Sequence, residues 1–272
     1  MGLVDACRLP VSGGGAVFCE VTGDGPPIVL THDAMLHRES WDAQFDSLSR
    51  AYRVVRWDRR GYGRSDQPSA PYASDDDLAR VVASLTDPPT VLMGCSNGGL
   101  LSLQCALQHP ELVAALVLVG PIVSGLGFTE HFTSRGGHWT GGNLTAAAEI
   151  EYWSSTDPWF IAPANTTARD RLRALLTANP NNLRPKEHLE QAYESPALPR
   201  LGQITVPTLI IAGEHDIPEV HAHCGAIQAA IPGARRQVLP NSGHLPHFED
   251  PANFNPTIQA FLAAHPPRPA AI

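Results

Sequence analysis

The sequence predicts an α/β protein: a mostly parallel, doubly wound sheet interrupted once by a helical insertion. Three observations predict it. Short apolar runs recur at residues 28–31, 90–93, 115–119 and 208–212, each of a length that suits a strand buried on both faces. Stretches of helical spacing lie between them, the alternation expected of crossover helices over a parallel sheet. From residue 121 to about 199 that rhythm stops and no clear strand is read. Residues 1–120 and 201–272 are therefore expected to form the core, with 121–200 a helical cap insertion and no separate domain.

The elements follow in order. Residues 6–10 and 16–21 read as two strands joined by Ser12-Gly13-Gly14-Gly15, a hairpin signal. Gly23-Asp24-Gly25-Pro26-Pro27 is a loop, since its glycines and prolines cannot sustain a ladder. The strand at 28–31 ends at His32-Asp33-Ala34-Met35. Trp41, Phe45, Leu48 and Tyr52 recur at helical spacing and lead into a strand at 53–57. Asp58 to Asp66 is a polar, glycine-punctuated loop, and 75–85 a helix whose Asp75, Asp76 and Asp77 sit where negative charge suits the helix dipole. The insertion carries Phe128, Phe132, Trp139, Tyr152, Trp153, Trp159 and Phe160, with helix-like stretches near 144–154, 167–177 and 186–194. Strands return at 208–212 and 236–239, and the tail from His265 is expected to be disordered.

Bulk properties narrow the partners. A net charge of -8, from 27 acidic against 19 basic residues, gives no electrostatic footprint for nucleic acid. No apolar segment approaches the roughly 20 residues that span a bilayer, and the first residues lack the pattern of a secretory signal. Five widely spaced cysteines without a C-x-x-C pair suggest reduced thiols. A cytoplasmic protein with a small-molecule substrate is expected, with neither nucleic acid nor membrane as a partner; monomer and homodimer both stay open.

One stretch carries chemistry. The strand at 90–93 runs into Gly94-Cys95-Ser96-Asn97-Gly98, after which Leu100, Leu101, Leu103, Ala106 and Leu107 recur with helical spacing. This fits G-x-S-x-G, a serine on a sharp strand-to-helix turn. A serine hydroxyl needs a base to take its proton and a third group to orient that base. Partners should lie at the carboxyl ends of later strands. There the strand at 209–212 runs into Gly213-Glu214-His215-Asp216, and that at 237–239 into Pro240-Asn241-Ser242-Gly243-His244. The order Ser, Asp, His is that of the serine-turn hydrolases.

With these residues in place, the chain resembles the α/β-hydrolase fold superfamily over nearly its whole length. The resemblance rests on Gly23-Asp24-Gly25-Pro26-Pro27 before the strand ending at His32, the D-x-R-G-x-G-x-S loop from Asp58 to Ser65, the Ser96 turn, Gly213-Glu214-His215-Asp216, and Gly243-His244. It implies an α/β-hydrolase fold with a helical cap, Ser96 as nucleophile, His244 as general base and Asp216 as the acid that fixes the imidazole. It also implies an oxyanion hole from the backbone N–H groups of Ala34 and Asn97. The chain departs from the family at Asp33, where glycine is common. Asp33 either meets a substrate hydroxyl or amine, or turns away and caps its own loop; His37 faces a similar choice. The aromatics between 128 and 160 are expected to wall the substrate pocket, with Phe128, Trp139, Trp153 and Trp159 as the leading candidates.

Other residues compete for roles. Glu214 is an alternative orienting acid, and Cys95 is either a reactive thiol or a small residue filling a tight turn. His215 and His247 read as ordinary loop histidines, and the loop from Asp58 to Ser65 as structural, with Arg60 pairing a nearby carboxylate. His221-Ala222-His223-Cys224 lacks a complementary pair at ligand spacing, so no metal is expected, and no cofactor is called for. The expected reaction is hydrolysis of a small to medium carboxylic ester or lactone through an acyl-enzyme. Alternatives are other reactions of the same triad (carbon–carbon bond hydrolysis, a cofactor-free peroxidase-like reaction, lactonisation or cyclisation), or a small-molecule receptor.

Overall fold

The computed structural model describes residues 3–137, 144–183 and 187–266. One eight-stranded sheet organises them, in the order β1-β2-β4-β3-β5-β6-β7-β8. The strands are β1 (Asp5–Pro10), β2 (Ala16–Thr22), β3 (Pro27–Thr31), β4 (Arg53–Asp58), β5 (Thr90–Cys95), β6 (Val113–Val119), β7 (Thr208–Gly213) and β8 (Arg235–Leu239). The β1–β2 and β2–β4 pairs are antiparallel, and every other pair is parallel. From β3 the chain crosses to β4 on one side and then returns to place β5 on the other. That reversal leaves a crevice beyond the carboxyl ends of β3 and β5, where open α/β sheets place their sites.

Period-two alternation sorts side chains onto two faces. Ile28, Leu30, Val91 and Met93 join one buried cluster with Trp41, Phe45 and Leu48 of α1 (Asp42–Leu48) and its preceding turn. Val29 and Leu92 join the other. That second cluster holds Leu78, Val81 and Val82 of α2 (Ser74–Leu85), Leu101 and Leu103 of α3 (Asn97–Gln108), and three side chains of a helix after β7. All six residues of β5 and of β7 are buried, which is why they read as unbroken apolar runs. Among the described residues no helix is long and apolar enough to cross a membrane.

Between β6 and β7 lie α4 (Glu130–Thr133), α5 (Ala146–Glu151), continued by one π turn at Tyr152–Thr156, and α6 (Thr166–Ala178). Thr145 and Asn165 cap α5 and α6, accepting the Ala148 and Ala168 N–H groups. Trp153, Phe160, Ile161, Leu172, Leu176 and Leu183 of this segment belong to the same buried cluster as the sheet. The helix expected at 186–194 does not form over the described part of that range. Glu187–Leu189 is a single 3-10 turn, because the backbone there is taken by Tyr72, whose N–H donates to the Leu189 carbonyl and whose carbonyl accepts the Gln191 N–H. After β7 come α7 (Pro218–Ala230), α8 (Pro246–Glu249) and α9 (Pro251–Ala264); Val220, Cys224 and Ile227 of α7 complete the second cluster.

The loop from Asp58 to Ser65 is a structural brace. Asp58 is fully buried and accepts the Arg38 N–H at 2.9 Å, Arg38 Nη1 at 3.0 Å and the Arg64 N–H at 2.8 Å. Arg60 donates to both carboxylate oxygens of Asp77, at 2.6 and 2.8 Å. Asp77 is thus a buried ion-pair partner, where the sequence suggested only a charge at a helix start. His247 sits in α8, where the sequence suggested a loop; it is buried and stacks on Trp41 with ring centroids 4.0 Å apart.

Candidate active site

β5 ends at Cys95 and α3 begins at Asn97, so Ser96 makes the turn between them. Its backbone lies at φ 51°, ψ -112°, a region that costs a non-glycine residue on the order of 1–3 kcal/mol. Missing side chains allow the turn. A Cβ on Gly94 would lie 2.1 Å from the Gly98 carbonyl oxygen, and one on Gly98 would lie 2.3 Å from that of Thr31. Strand, helix and neighbouring strand therefore meet backbone to backbone. The Ser96 N–H donates to the Val119 carbonyl at 2.8 Å, which fixes the turn to β6. Burial holds the neighbouring Cys95 thiol protonated, well above its ordinary pKa, so it serves as a small buried filler.

The loops after β7 and β8 meet in the same way. A Cβ on Gly213 would lie 2.0 Å from the Gly243 carbonyl oxygen, and the His215 N–H donates to the Ser242 carbonyl at 2.9 Å. This contact brings Asp216 Oδ1 to 2.8 Å from His244 Nδ1. An ionised carboxylate only accepts, so the proton of that bond belongs to Nδ1, and Nε2 of the neutral ring is left as an acceptor. Asp216 Oδ1 also accepts the Ile217 N–H at 2.7 Å. Gly120, at φ +49°, makes room for the pair: a Cβ there would lie 2.9 Å from His244 Nδ1 and 3.1 Å from Asp216 Oδ2. Burial lowers the His244 pKa, but the charge and hydrogen bond of Asp216, helped by the charge of Asp33, outweigh it and leave it raised above 6.5. Glu214 is directed elsewhere and accepts the Asn241 N–H at 3.0 Å.

Ser96 and His244 line one cavity with Asp33, Ala34 and Met35 from the loop after β3. Phe132, Arg135, Trp153 and Phe160 reach it from the segment between β6 and β7, and Ile217 from the turn after Asp216. Arg135 donates to both oxygens of Asp157, at 2.8 and 2.7 Å, with its guanidinium against the rings of Trp153 and Phe132. Asp157 in turn accepts the N–H groups of Trp159 and Phe160 at 2.9 and 2.8 Å. Their carbonyls accept the His244 N–H at 2.9 and 3.1 Å. The helical segment therefore holds the backbone of His244 as well as walling the cavity.

Asp33 has two faces. Its Oδ1 accepts the N–H groups of Met35 and Leu36 at 2.6 and 3.0 Å, which is loop capping. Its Oδ2 is buried without a hydrogen-bond partner among the described residues. Burial pushes the Asp33 carboxyl up, against the pull of those two N–H groups and of His244. Beneath it, His32 accepts the Arg59 N–H on Nε2 at 2.9 Å, so its Nδ1 donates to the Asp33 carbonyl at 2.7 Å. Burial keeps that ring neutral.

The other sequence candidates are spread out. Ala34 lines the cavity, and its carbonyl accepts the Tyr62 hydroxyl at 2.8 Å; Asn97 opens α3 beside Ser96. Trp153 lines the cavity, whereas Trp159 contributes its carbonyl to His244. Phe128 is 40% exposed and stacks on Phe132 of the cavity lining, without joining the lining itself. His37 is buried and accepts from Asn182 Nδ2 at 3.1 Å, also outside that lining. Trp139 lies outside the described residues. Sequence reasoning missed Met35, Arg135 and Ile217. A signal existed for Arg135, the sole Lys or Arg between residues 121 and 168.

This sheet, with a serine turn after β5 and an Asp–His contact after β7 and β8, defines an α/β hydrolase. The chain belongs to the alpha/beta hydrolase fold family, whose family model matches residues 26–251. Among curated proteins it is similar to the pimeloyl-[acyl-carrier protein] methyl ester esterase of Nitrosomonas europaea, at 28% identity over 253 residues, covering 88% of this chain and 96% of that one. Among solved structures it is similar to a hydrolase from Pseudomonas aeruginosa PA01, with a TM-score of 0.78, 28% identity and coverage of 95% and 98%. It is also similar to Est816, described as an N-acyl homoserine lactone degrading enzyme, with a TM-score of 0.76, 26% identity and coverage of 94% and 100%.

Proposed function

We propose that the protein is a serine hydrolase that cleaves a small to medium carboxylic ester or lactone through an acyl-enzyme on Ser96. The observation that carries this reading is the 2.8 Å contact between Asp216 and His244, buried beside a cavity that Ser96 also lines. In this reading His244 Nε2 takes the Ser96 proton as the hydroxyl attacks the substrate carbonyl, and Asp216 steadies the imidazolium that forms. The oxyanion is held by the N–H groups of Ala34 and Asn97, and each such donor supplies about 3–4 kcal/mol of transition-state stabilisation. His244 then protonates the departing alcohol, and water, activated by the same imidazole, releases the acid. A small cavity with mostly apolar walls suits a short acyl group. The ester and lactone activities named for two of the relatives support the same class of bond.

The test is covalent. A fluorophosphonate probe should label the wild-type protein and not Ser96→Ala, and short-chain aryl esters should be hydrolysed by the former alone. Labelling of Ser96→Ala at wild-type level would remove Ser96 from the role.

A further inference from the structure

Capping explains only half of Asp33. Its Oδ1 is saturated by the Met35 and Leu36 N–H groups, and an asparagine or serine would cap that loop without a charge. The second oxygen is what needs an explanation. Asp33 is 1% exposed, its Oδ2 has no hydrogen-bond partner among the described residues, and the residue lines the cavity that Ser96 and His244 line. A buried carboxylate oxygen without a donor is destabilising, and every extra apolar group brought into the cavity desolvates it further. Arg135, the one Lys or Arg among the described residues that line the cavity, already donates to both oxygens of Asp157. A hydroxyl or ammonium of whatever fills the cavity would supply the donor that this oxygen lacks among the described residues.

We propose that Asp33 Oδ2 is a specificity-determining acceptor, selecting esters whose acyl group carries a hydroxyl or ammonium on the first or second carbon from the scissile carbonyl. This role rests on the hydrolase reading above. In that reading Ala34, the next residue, supplies an N–H to the carbonyl oxygen. Consecutive residues then present a donor to that oxygen and an acceptor beside it. Substituents on the first two acyl carbons are the part of an ester that lies closest to its carbonyl oxygen, whereas donors on the alcohol lie farther off. A plain acyl chain leaves Oδ2 unpaired against the developing oxyanion, which disfavours it. A chain with a donor pairs the oxygen and screens its charge. A site built around such a bond discriminates more sharply than an apolar pocket can.

The experiment compares methyl butanoate with methyl 2-hydroxybutanoate, 3-hydroxybutanoate and 2-aminobutanoate, each as separate enantiomers, and with methyl 2-methoxybutanoate, which has an acceptor but no donor. In the wild type, kcat/KM for at least one donor-bearing ester should exceed that for both controls by about tenfold or more; the hydroxy and amino arms tell which donor is preferred. In Asp33→Asn the amide oxygen can keep the loop bonds while an NH2 takes the place of Oδ2, and the ratio should fall toward one. Asp33→Ser is the second variant, with thermal melts to establish that both fold. A wild-type ratio near one, or a preference that survives in both variants, overturns the proposal. Calorimetric binding of the same esters to Ser96→Ala separates the two readings, because it requires no turnover. Preferential binding of a donor-bearing ester there, lost in Ser96→Ala/Asp33→Asn, upholds the role of Asp33 even if the wild type hydrolyses nothing. Equal binding of all five esters to Ser96→Ala sinks it even if hydrolysis is brisk.

Discussion

At the scale of single residues, Ser96 bears a strained backbone that only its surroundings can hold, and His244 a proton equilibrium that its neighbours set. We expect Ser96→Ala and His244→Ala each to cut kcat/KM by about 10⁴-fold or more, and Asp216→Asn by about 10³-fold or more, measured on a short-chain aryl ester. Gly120→Ala is a sharper probe, because its methyl group would press on His244 Nδ1 from 2.9 Å. The left-handed φ penalises it as well, so a loss of about 1–3 kcal/mol in stability should accompany a larger loss of activity. The pH profile follows from charge. In the proposed reaction His244 must be neutral to accept a proton, and its pKa is raised above 6.5 by Asp216 and, less, by Asp33. Activity should therefore fall away on the acid side at a midpoint above pH 6.5, the ordinary value. Asp33→Asn removes one raising charge and should move that midpoint to lower pH; movement to higher pH would contradict the assignment. Ser96, Asp216 and His244 were legible because each follows an apolar strand at a fixed offset. The cavity walls were not, because Arg135 and Met35 reach it through loop and helix packing that leaves no period in the sequence.

At the scale of elements, Glu249 at the end of α8 ties two loops together. Its carboxylate oxygens accept the Gly243 and Ala162 N–H groups, both at 2.8 Å, and its own carbonyl accepts Asn165 Nδ2 at 3.1 Å. Burial pushes its carboxyl from 4.5 up to about 7, against the pull of those backbone donors. A carboxyl raised on folding holds its proton more tightly in the native state. Its favourable contribution is therefore present below about pH 4.5 and is lost as pH rises through about 7. Glu249→Gln should be less stable than the wild type by about 1–3 kcal/mol at pH 5, with the deficit narrowing by pH 8 in urea unfolding. A deficit that widens with pH would mean that Glu249 is held chiefly as a carboxylate. The sequence shows neither the helix, read there as a loop, nor the tie, since a lone glutamate past a glycine–histidine loop reads as a solvated surface residue. The failed helix at 186–194 has a similar origin. Helical spacing was present, but Tyr72, over a hundred residues away, claims the backbone N–H and C=O groups on either side of Glu190.

At the scale of the whole molecule, the segment between β6 and β7 shares a buried cluster with the sheet, through Trp153, Phe160, Ile161 and Leu172. A lid resting on a finished domain would keep a core of its own. We therefore expect tryptophan fluorescence and far-UV circular dichroism to report one coincident urea transition; two separated transitions would show that the segment unfolds alone. The strands at 28–31, 90–93, 115–119 and 208–212 were readable, because burial on both faces writes itself as apolar runs. The shared cluster was not, because which apolar faces meet depends on the path of the intervening chain. The His244 N–H, shared by the Trp159 and Phe160 carbonyls, has a consequence for engineering. Grafting this region from a relative to change the substrate would also move the backbone of His244, the proposed base. A chimera must keep the backbone from Asp157 to Ala162 from this chain, whatever it borrows elsewhere, or selectivity and turnover will shift together.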